Sequence, residues 1–242
     1  MLAPPVRSTP LVLSLGLAAL ALTGCSTVHG VKPVGKGVVR PELSFGGPIT
    51  EVYGAPIPIP LTQLGATYGV DDKTDVHVAW HSSAAAFYNL FGADVGASRE
   101  LVSWAGARPR VMADLTLLAF AGDNEPGGAE GGFRLFVQPT ATASWDWGKH
   151  RRETTYVALT AMFQPFPSVH VVPALAVGNQ WALGRRLSLT TEVKWISFYK
   201  SNLPVVPTYY APGNVGAIGF NLGLGYAIGR LPEHSEASGA AQ

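Results

Sequence analysis

A single cysteine, Cys25, among 242 residues excludes an internal disulfide and a thiolate metal cluster, so burial and hydrogen bonding must hold the fold. Charge is scarce as well: Asp, Glu, Lys and Arg supply 14% of the chain, against about a quarter in typical soluble domains. Something other than water is therefore expected over part of the surface. The net charge of +1 gives neither the basic field that nucleic acid requires nor an acidic one, and no nucleic-acid partner is expected. Long apolar runs are also missing. No window offers the roughly 18 consecutive apolar residues of a spanning helix, which excludes a helical membrane domain. What is abundant is 47% hydrophobic residues punctuated by 28 glycines and 19 prolines. Many short apolar segments joined by turns read as an all-β chain.

Arg7, an apolar stretch from Leu11 to Leu22, and the small residues Thr23 and Gly24 precede Cys25 in the order of a secretory leader. Leu22-Thr23-Gly24-Cys25 resembles the lipobox of bacterial lipoproteins. The resemblance implies a signal peptide over 1–24, cleavage between Gly24 and Cys25, diacylglycerol on the Cys25 sulfur, and acyl chains such as palmitate holding the new N-terminus to a membrane. It also implies membrane lipids and the lipoprotein-processing machinery as partners. Ser26, where retained lipoproteins carry Asp, resembles lipoproteins sorted to the outer membrane. The alternative is an ordinary secretory signal whose cleavage zone contains a cysteine. Residues 26–38 hold Gly30, Lys32, Pro33, Gly35, Lys36 and Gly37 without an apolar period and read as a tether. The lipidated N-terminus and linker thus occupy 25–38, and the ordered domain spans 39–229. Residues 230–242, rich in Ala, Ser, Glu and Gly, are expected to be disordered.

Period-2 alternation runs through the domain. Ile218, Phe220, Leu222, Leu224, Tyr226 and Ile228 share one face, while Ala217, Gly219, Asn221, Gly223, Gly225 and Ala227 share the other. In 132–147, Leu135, Val137, Ala141, Ala143, Trp145 and Trp147 oppose Arg134, Gln138, Thr140, Thr142, Ser144 and Asp146; 187–195 and 75–81 alternate likewise. A soluble sandwich places its apolar face inside, and a lipid-embedded barrel places it outside. Three features favour the second sense. The face opposite the apolar one in the last strand is small, as a crowded lumen requires. Aromatics such as Tyr68, Trp80, Trp147, Phe163, Trp181 and Tyr226 stand near strand ends, where interfacial girdles lie. Several segments also reach a dozen residues, enough for a tilted span of about 9 to 11.

Ten strands are predicted, at 39–47, 61–70, 74–82, 87–99, 109–121, 132–147, 154–165, 168–182, 186–199 and 213–229. A short helical loop over 82–91 is the alternative reading of that segment, and the count is then as low as eight. With a periplasmic N-terminus, the turns 71–73, 148–152 and 183–185 fall on the periplasmic side, and the long connections 48–60, 122–131 and 200–212 fall outside. Asn221-x-Gly223-x-x-Tyr226-x-Ile228 resembles the assembly signal of bacterial outer-membrane proteins, which implies the barrel-assembly machinery as a partner. Here the pattern is followed by a tail, where the family ends its chains. Pro41, Pro139 and Pro173 fall inside proposed strands, where each removes a ladder donor and belongs at an edge or bulge.

Chemistry-bearing clusters are few. His81 and Ser83 resemble the His-x-Ser pairing of outer-membrane lipid A deacylases, which would make Ser83 a nucleophile and His81 its base. No matching acid is evident in the sequence. His77 and His81 share a strand face and could begin a metal site, but a third ligand is not identifiable, so no metal or cofactor is expected. Arg110, Asp114, Arg134, Asp146, Glu192 and Lys194 would point inward, and inward charges in a narrow barrel pair with one another. Gly92–Gly96 and the Gly-rich 127–132 do not join a strand to a helix and form no phosphate loop. The expected protein is a lipid-anchored antiparallel up-and-down transmembrane β-barrel, structural or a narrow channel or small-molecule binder, without catalysis. The alternatives are a soluble periplasmic lipocalin-like binding lipoprotein and a membrane-embedded deacylase-like hydrolase using Ser83 and His81.

Overall fold

The computed structural model describes residues 27–52, 55–58, 61–88, 91–103, 107–122, 133–148, 152–166, 169–201, 211 and 215–229. Gly24, Cys25 and the tail 230–242 lie outside the described residues. The chain forms β1 (Val39–Val52), β2 (Ala55–Pro58), β3 (Leu61–Gly69), β4 (Thr74–Trp80), α1 (Ser82–Tyr88), β5 (Phe91–Val102) and β6 (Arg110–Ala121). It continues through β7 (Arg134–Trp147), β8 (Glu153–Phe166), β9 (His170–Ala182), β10 (Leu187–Ser201) and β11 (Val215–Tyr226). Neighbours in sequence pair antiparallel from β3 to β11, β1 pairs with β3, and β1 closes the ring against β11. The result is an antiparallel barrel of ten strands. Strand β2 stands apart, returning along the far part of β1 from Val52↔Ala55 to Ile49↔Pro58 as a hairpin extension. The connection expected over 48–60 is therefore largely strand.

One boundary moved for a local reason. The strand expected at 87–99 begins at Phe91, because 82–88 is helix α1; Ala84-Ala85-Ala86 favours a helical turn, and the His81 carbonyl accepts the Ala85 N–H at 3.3 Å. The helix occupies a connection, so the strand count stays at ten. The three prolines sit at interruptions of the ladder. The β1–β11 pairing omits Pro41 between Val39↔Ile228 and Glu42↔Gly225. The β7–β8 pairing omits Pro139 between Val137↔Phe163 and Thr140↔Thr160. Pro173 lies just beyond Ala174↔Ile196, where the β9–β10 pairing stops. Each missing N–H thus coincides with a place where a donor has no ladder partner to serve.

The apolar face points outward. Phe220, Leu222 and Leu224 are exposed on the outer wall, as are Val78, Val95, Leu115, Leu159 and Val177. The lipocalin-like alternative needs these residues to meet in a central core, and they do not. No helix among the described residues is long and apolar enough to cross a membrane; the exposed apolar residues lie on the strands. Strands β5, β6 and β11 have 12 residues; tilted by about 45°, such strands rise roughly 28 Å, matching an apolar band of about 25 Å.

Both described ends of the chain and the turns after β3 and β9 lie at one end of the barrel, the near end; α1 and the β1–β2 hairpin lie at the far end. Tyr68, Trp147, Trp181 and Tyr226 ring the near rim, where the Trp147 and Trp181 rings meet edge to face at 5.5 Å. Trp80, Phe91 and Phe163 stand toward the far rim. Short turns hold the near end. In the turn after β3, the Asp71 carboxylate accepts the Lys73 N–H at 2.7 Å, and this hydrogen bond holds the Asp71 carboxyl below the usual carboxylate range.

The lumen departs most from the sequence reading. Residues 27–38, expected to hang outside as a tether, enter the near half of the barrel and fill it. Val31 and Val38 are buried there, and Val31 packs with Tyr156, Ala158 and Ala176. The far half holds an apolar cluster, where a polar interior was expected throughout: Ala84 of α1 meets Leu118, Phe120, Phe136 and Met162, in the same half as the buried polar residues Gln63, His81, Asp94 and Gln164. Phe136 shares the inward face with Arg134 and Gln138, a break in the alternation of β7 that this cluster explains.

Candidate functional site

The N-terminal segment has few side chains to bury, so it is held largely through its backbone. Glu192 of β10 accepts the Val28 N–H at 2.9 Å, the Tyr156 hydroxyl at 2.7 Å and the Asn221 amide at 3.4 Å, and Lys194 lies 3.3 Å away. Both oxygens of Asp75 take the Val34 N–H, at 3.1 and 3.3 Å. The Ser144 hydroxyl donates to the Val31 carbonyl at 3.0 Å. A buried backbone group needs such a partner, and here the barrel wall supplies it.

The inward charges pair as expected for the most part. Arg110 binds Asp146 through two nitrogens, at 2.8 and 3.3 Å, and Glu100 at 2.9 Å. Lys32 of the inserted segment approaches Asp146 at 3.6 Å, and Arg40 pairs with Glu42. At the near mouth a cleft of about 150 Å³ is bordered by Lys32, Arg40, Arg152, Arg185 and Arg186. Two of these cations already face Asp146 and Glu42, and Arg186 donates to the Ala227 and Gly229 carbonyls.

A second polar group lies deeper. His77 of β4 stacks on His29 of the inserted segment, with ring centroids 4.2 Å apart and planes 11° from parallel. His77 Nε2 meets the Thr116 hydroxyl at 3.1 Å, and its Nδ1 faces Asp114 Oδ2 at 3.6 Å. A Cβ at Gly96 would come 2.4 Å from His77 Nε2, so this position requires glycine to admit the ring. His29 Nδ1 faces Glu42 at 3.7 Å. One ligand atom from each of His29, His77 and Asp94 lies within 4.8 Å of the others. The sequence reading had named His77 without a third ligand. His29 was missed because it belongs to a segment with no periodicity.

His81 and Ser83 are near neighbours with separate partners. His81 Nε2 contacts Asp94 Oδ2 at 3.1 Å, and Gln63 donates to the same oxygen. Asp94 is thus the acid that the sequence did not reveal. The Ser83 hydroxyl accepts the Thr62 N–H at 2.8 Å and lies 3.5 Å from the Thr62 carbonyl, while Ser82 donates to that carbonyl at 3.2 Å. Both serines fasten α1 to β3. The described hydrogen bonds do not join Ser83 to His81.

In the last strand, Asn221 and Gly223 face the lumen, whereas Tyr226 and Ile228 face outward at the near rim. This strand forms the closing seam with β1.

No family model matches the chain, and no curated protein matches it in sequence. Solved structures do resemble it. The translocator domain of the autotransporter NalP from Neisseria meningitidis is 11% identical, with 90% of this chain and 99% of that one covered at a TM-score of 0.47. The outer membrane protein OprG from Pseudomonas aeruginosa is 13% identical, with 82% and 99% covered at 0.33. Ail, the attachment invasion locus protein of Yersinia pestis, is 8% identical, with 80% and 99% covered at 0.26. Likenesses of this degree transfer no residue role. The closed ten-strand barrel with an apolar exterior rests on the chain's own pairing and exposure.

Proposed function

We propose that this chain is a lipid-anchored outer-membrane β-barrel that rests closed, with a structural rather than a catalytic or open-pore role. One observation carries the reading: the apolar wall encloses a lumen filled in its near half by residues 27–38 and in its far half by the cluster around Phe120 and Phe136. An aqueous path would have to pass both layers. Lipidation at Cys25 is compatible with the filled near half. Thr27 adjoins Gly223, three residues from the near end of β11, and two extended residues reach about 7 Å, comparable to the rise of three tilted strand residues.

Planar-bilayer recording of the full chain tests the closed state, with absence of steady conductance steps expected. A stable open level in most insertions would overturn it. Mass spectrometry of the membrane-extracted protein tests the anchor, and a Cys25→Ala variant should remain with the membranes through its barrel. Release of that variant into the soluble fraction would refute integral insertion.

A further inference from the structure

The carboxylates of the lumen divide into two kinds. Glu42, Glu100, Asp146 and Glu192 each have a Lys or Arg against them, and Asp75 is satisfied by the Val34 N–H. Asp94 and Asp114 face imidazoles in the described ion pairs, with no Lys or Arg. Both are buried, and they keep one oxygen each, Asp94 Oδ1 and Asp114 Oδ2, without a hydrogen-bond partner among the described residues. His29 Nε2 and His77 Nδ1 are buried and lack a partner in the same way. His29, His77 and Asp94 come together, with one ligand atom from each within 4.8 Å of the others, whereas Asp114 stands opposite Ser98, four residues along β5 from Asp94. Groups of this kind are normally satisfied when buried, and a shared cation is one of the few partners able to serve these three residues together.

We propose that His29, His77 and Asp94 bind one divalent transition-metal ion of the zinc class, with the fourth position left to solvent or a small anion. Two imidazoles with one carboxylate form the borderline nitrogen and oxygen set that zinc accepts, whereas calcium and magnesium demand more oxygen ligands. Donors around a tetrahedral zinc stand roughly 3.4 Å apart, so the three that lie within 4.8 Å must close by somewhat more than an ångström. His29 is the ligand able to move, since its segment is held by single hydrogen bonds instead of a strand ladder. Rotation of its ring out of the stack on His77 turns Nε2 toward the ion. The consequence is mechanical: a metal held by His29 and the barrel wall staples the inserted segment in the lumen.

The experiment titrates the purified full chain in detergent with Zn²⁺, and separately with Co²⁺, whose visible absorption reports nitrogen and oxygen coordination. One equivalent should bind. His29→Ala and His77→Ala should each weaken binding at least about a hundredfold, the upper end of what changes outside the ligand shell produce, while heat-modifiable gel migration shows that the barrel remains folded. His29 lies outside every strand, so its variant tests the site without touching a ladder. If that variant titrates like the wild type, or if the wild-type protein takes up no stoichiometric Zn²⁺ at about 1 mM, the site does not exist. A closed, metal-free barrel would leave the conductance result unchanged, so failure here is separable from failure of the proposed function.

Discussion

Gly30 offers the sharpest way to expel the inserted segment without altering the barrel. Its φ is +65°, and a Cβ there would lie 2.7 Å from the Ser98 Cβ and 3.7 Å from the Asp114 Cβ. Gly30→Val therefore combines left-handed backbone strain of about 1–2 kcal/mol with overpacking of about 1–3 kcal/mol. The sum, about 2–5 kcal/mol, shifts the balance between inserted and withdrawn states roughly 30- to 5000-fold at 1.36 kcal/mol per decade. Insertion already has to offset the ordering of a dozen residues, at about 1–2 kcal/mol each, so its net margin is small beside its gross interactions. A loss of this size is enough to reverse it. The reporter is Val31→Cys in a Cys25→Ser background, a thiol placed against Tyr156, Ala158 and Ala176. Maleimide labelling should be slow with Gly30 and at least tenfold faster with Gly30→Val, with heat-modifiable migration unchanged in both. Rates within twofold of each other would show that residues 27–38 do not depend on this close approach and would refute the inserted arrangement.

Further outcomes follow from single contacts. Asp75→Ala removes the acceptor of the Val34 N–H and should weaken insertion by about 1.5–3 kcal/mol, read as faster tryptic cleavage after Lys36. Phe120→Ala opens the far apolar layer and should lower barrel stability in urea by about 3–5 kcal/mol; a change below 1 kcal/mol would mean the layer is not packed. Leu159, 53% exposed near the middle of β8, should tolerate Ala, whereas Leu159→Arg should disfavour assembly in lipid by about 2–4 kcal/mol. Equal folding yields of the two variants in vesicles would contradict a hydrocarbon-facing wall. Ser83→Ala should leave the lipid A profile of the host envelope unchanged, because the Ser83 hydroxyl is engaged with Thr62; an altered profile would revive the hydrolase alternative.

The sequence by itself determined most of the strands and the ten-strand ring, because alternation and turn residues are local properties written within a few positions of each other. It determined which side chains share a face, and the small residues of β11 together with the aromatics at strand ends indicated that the greasy face looks outward. Only the tertiary structure decided what fills the lumen. Residues 27–38 carry no period, and their partners lie far along the chain: Val31 meets Ser144 across 113 positions and Val28 meets Glu192 across 164. Shorter separations, down to 13 positions between His81 and Asp94, were enough to hide His29 from His77 and Asp94 from His81. A short polar segment becomes ordered only when a closed wall surrounds its backbone with acceptors and donors, and closure of β1 on β11 is a property of the whole ring that no window of residues contains.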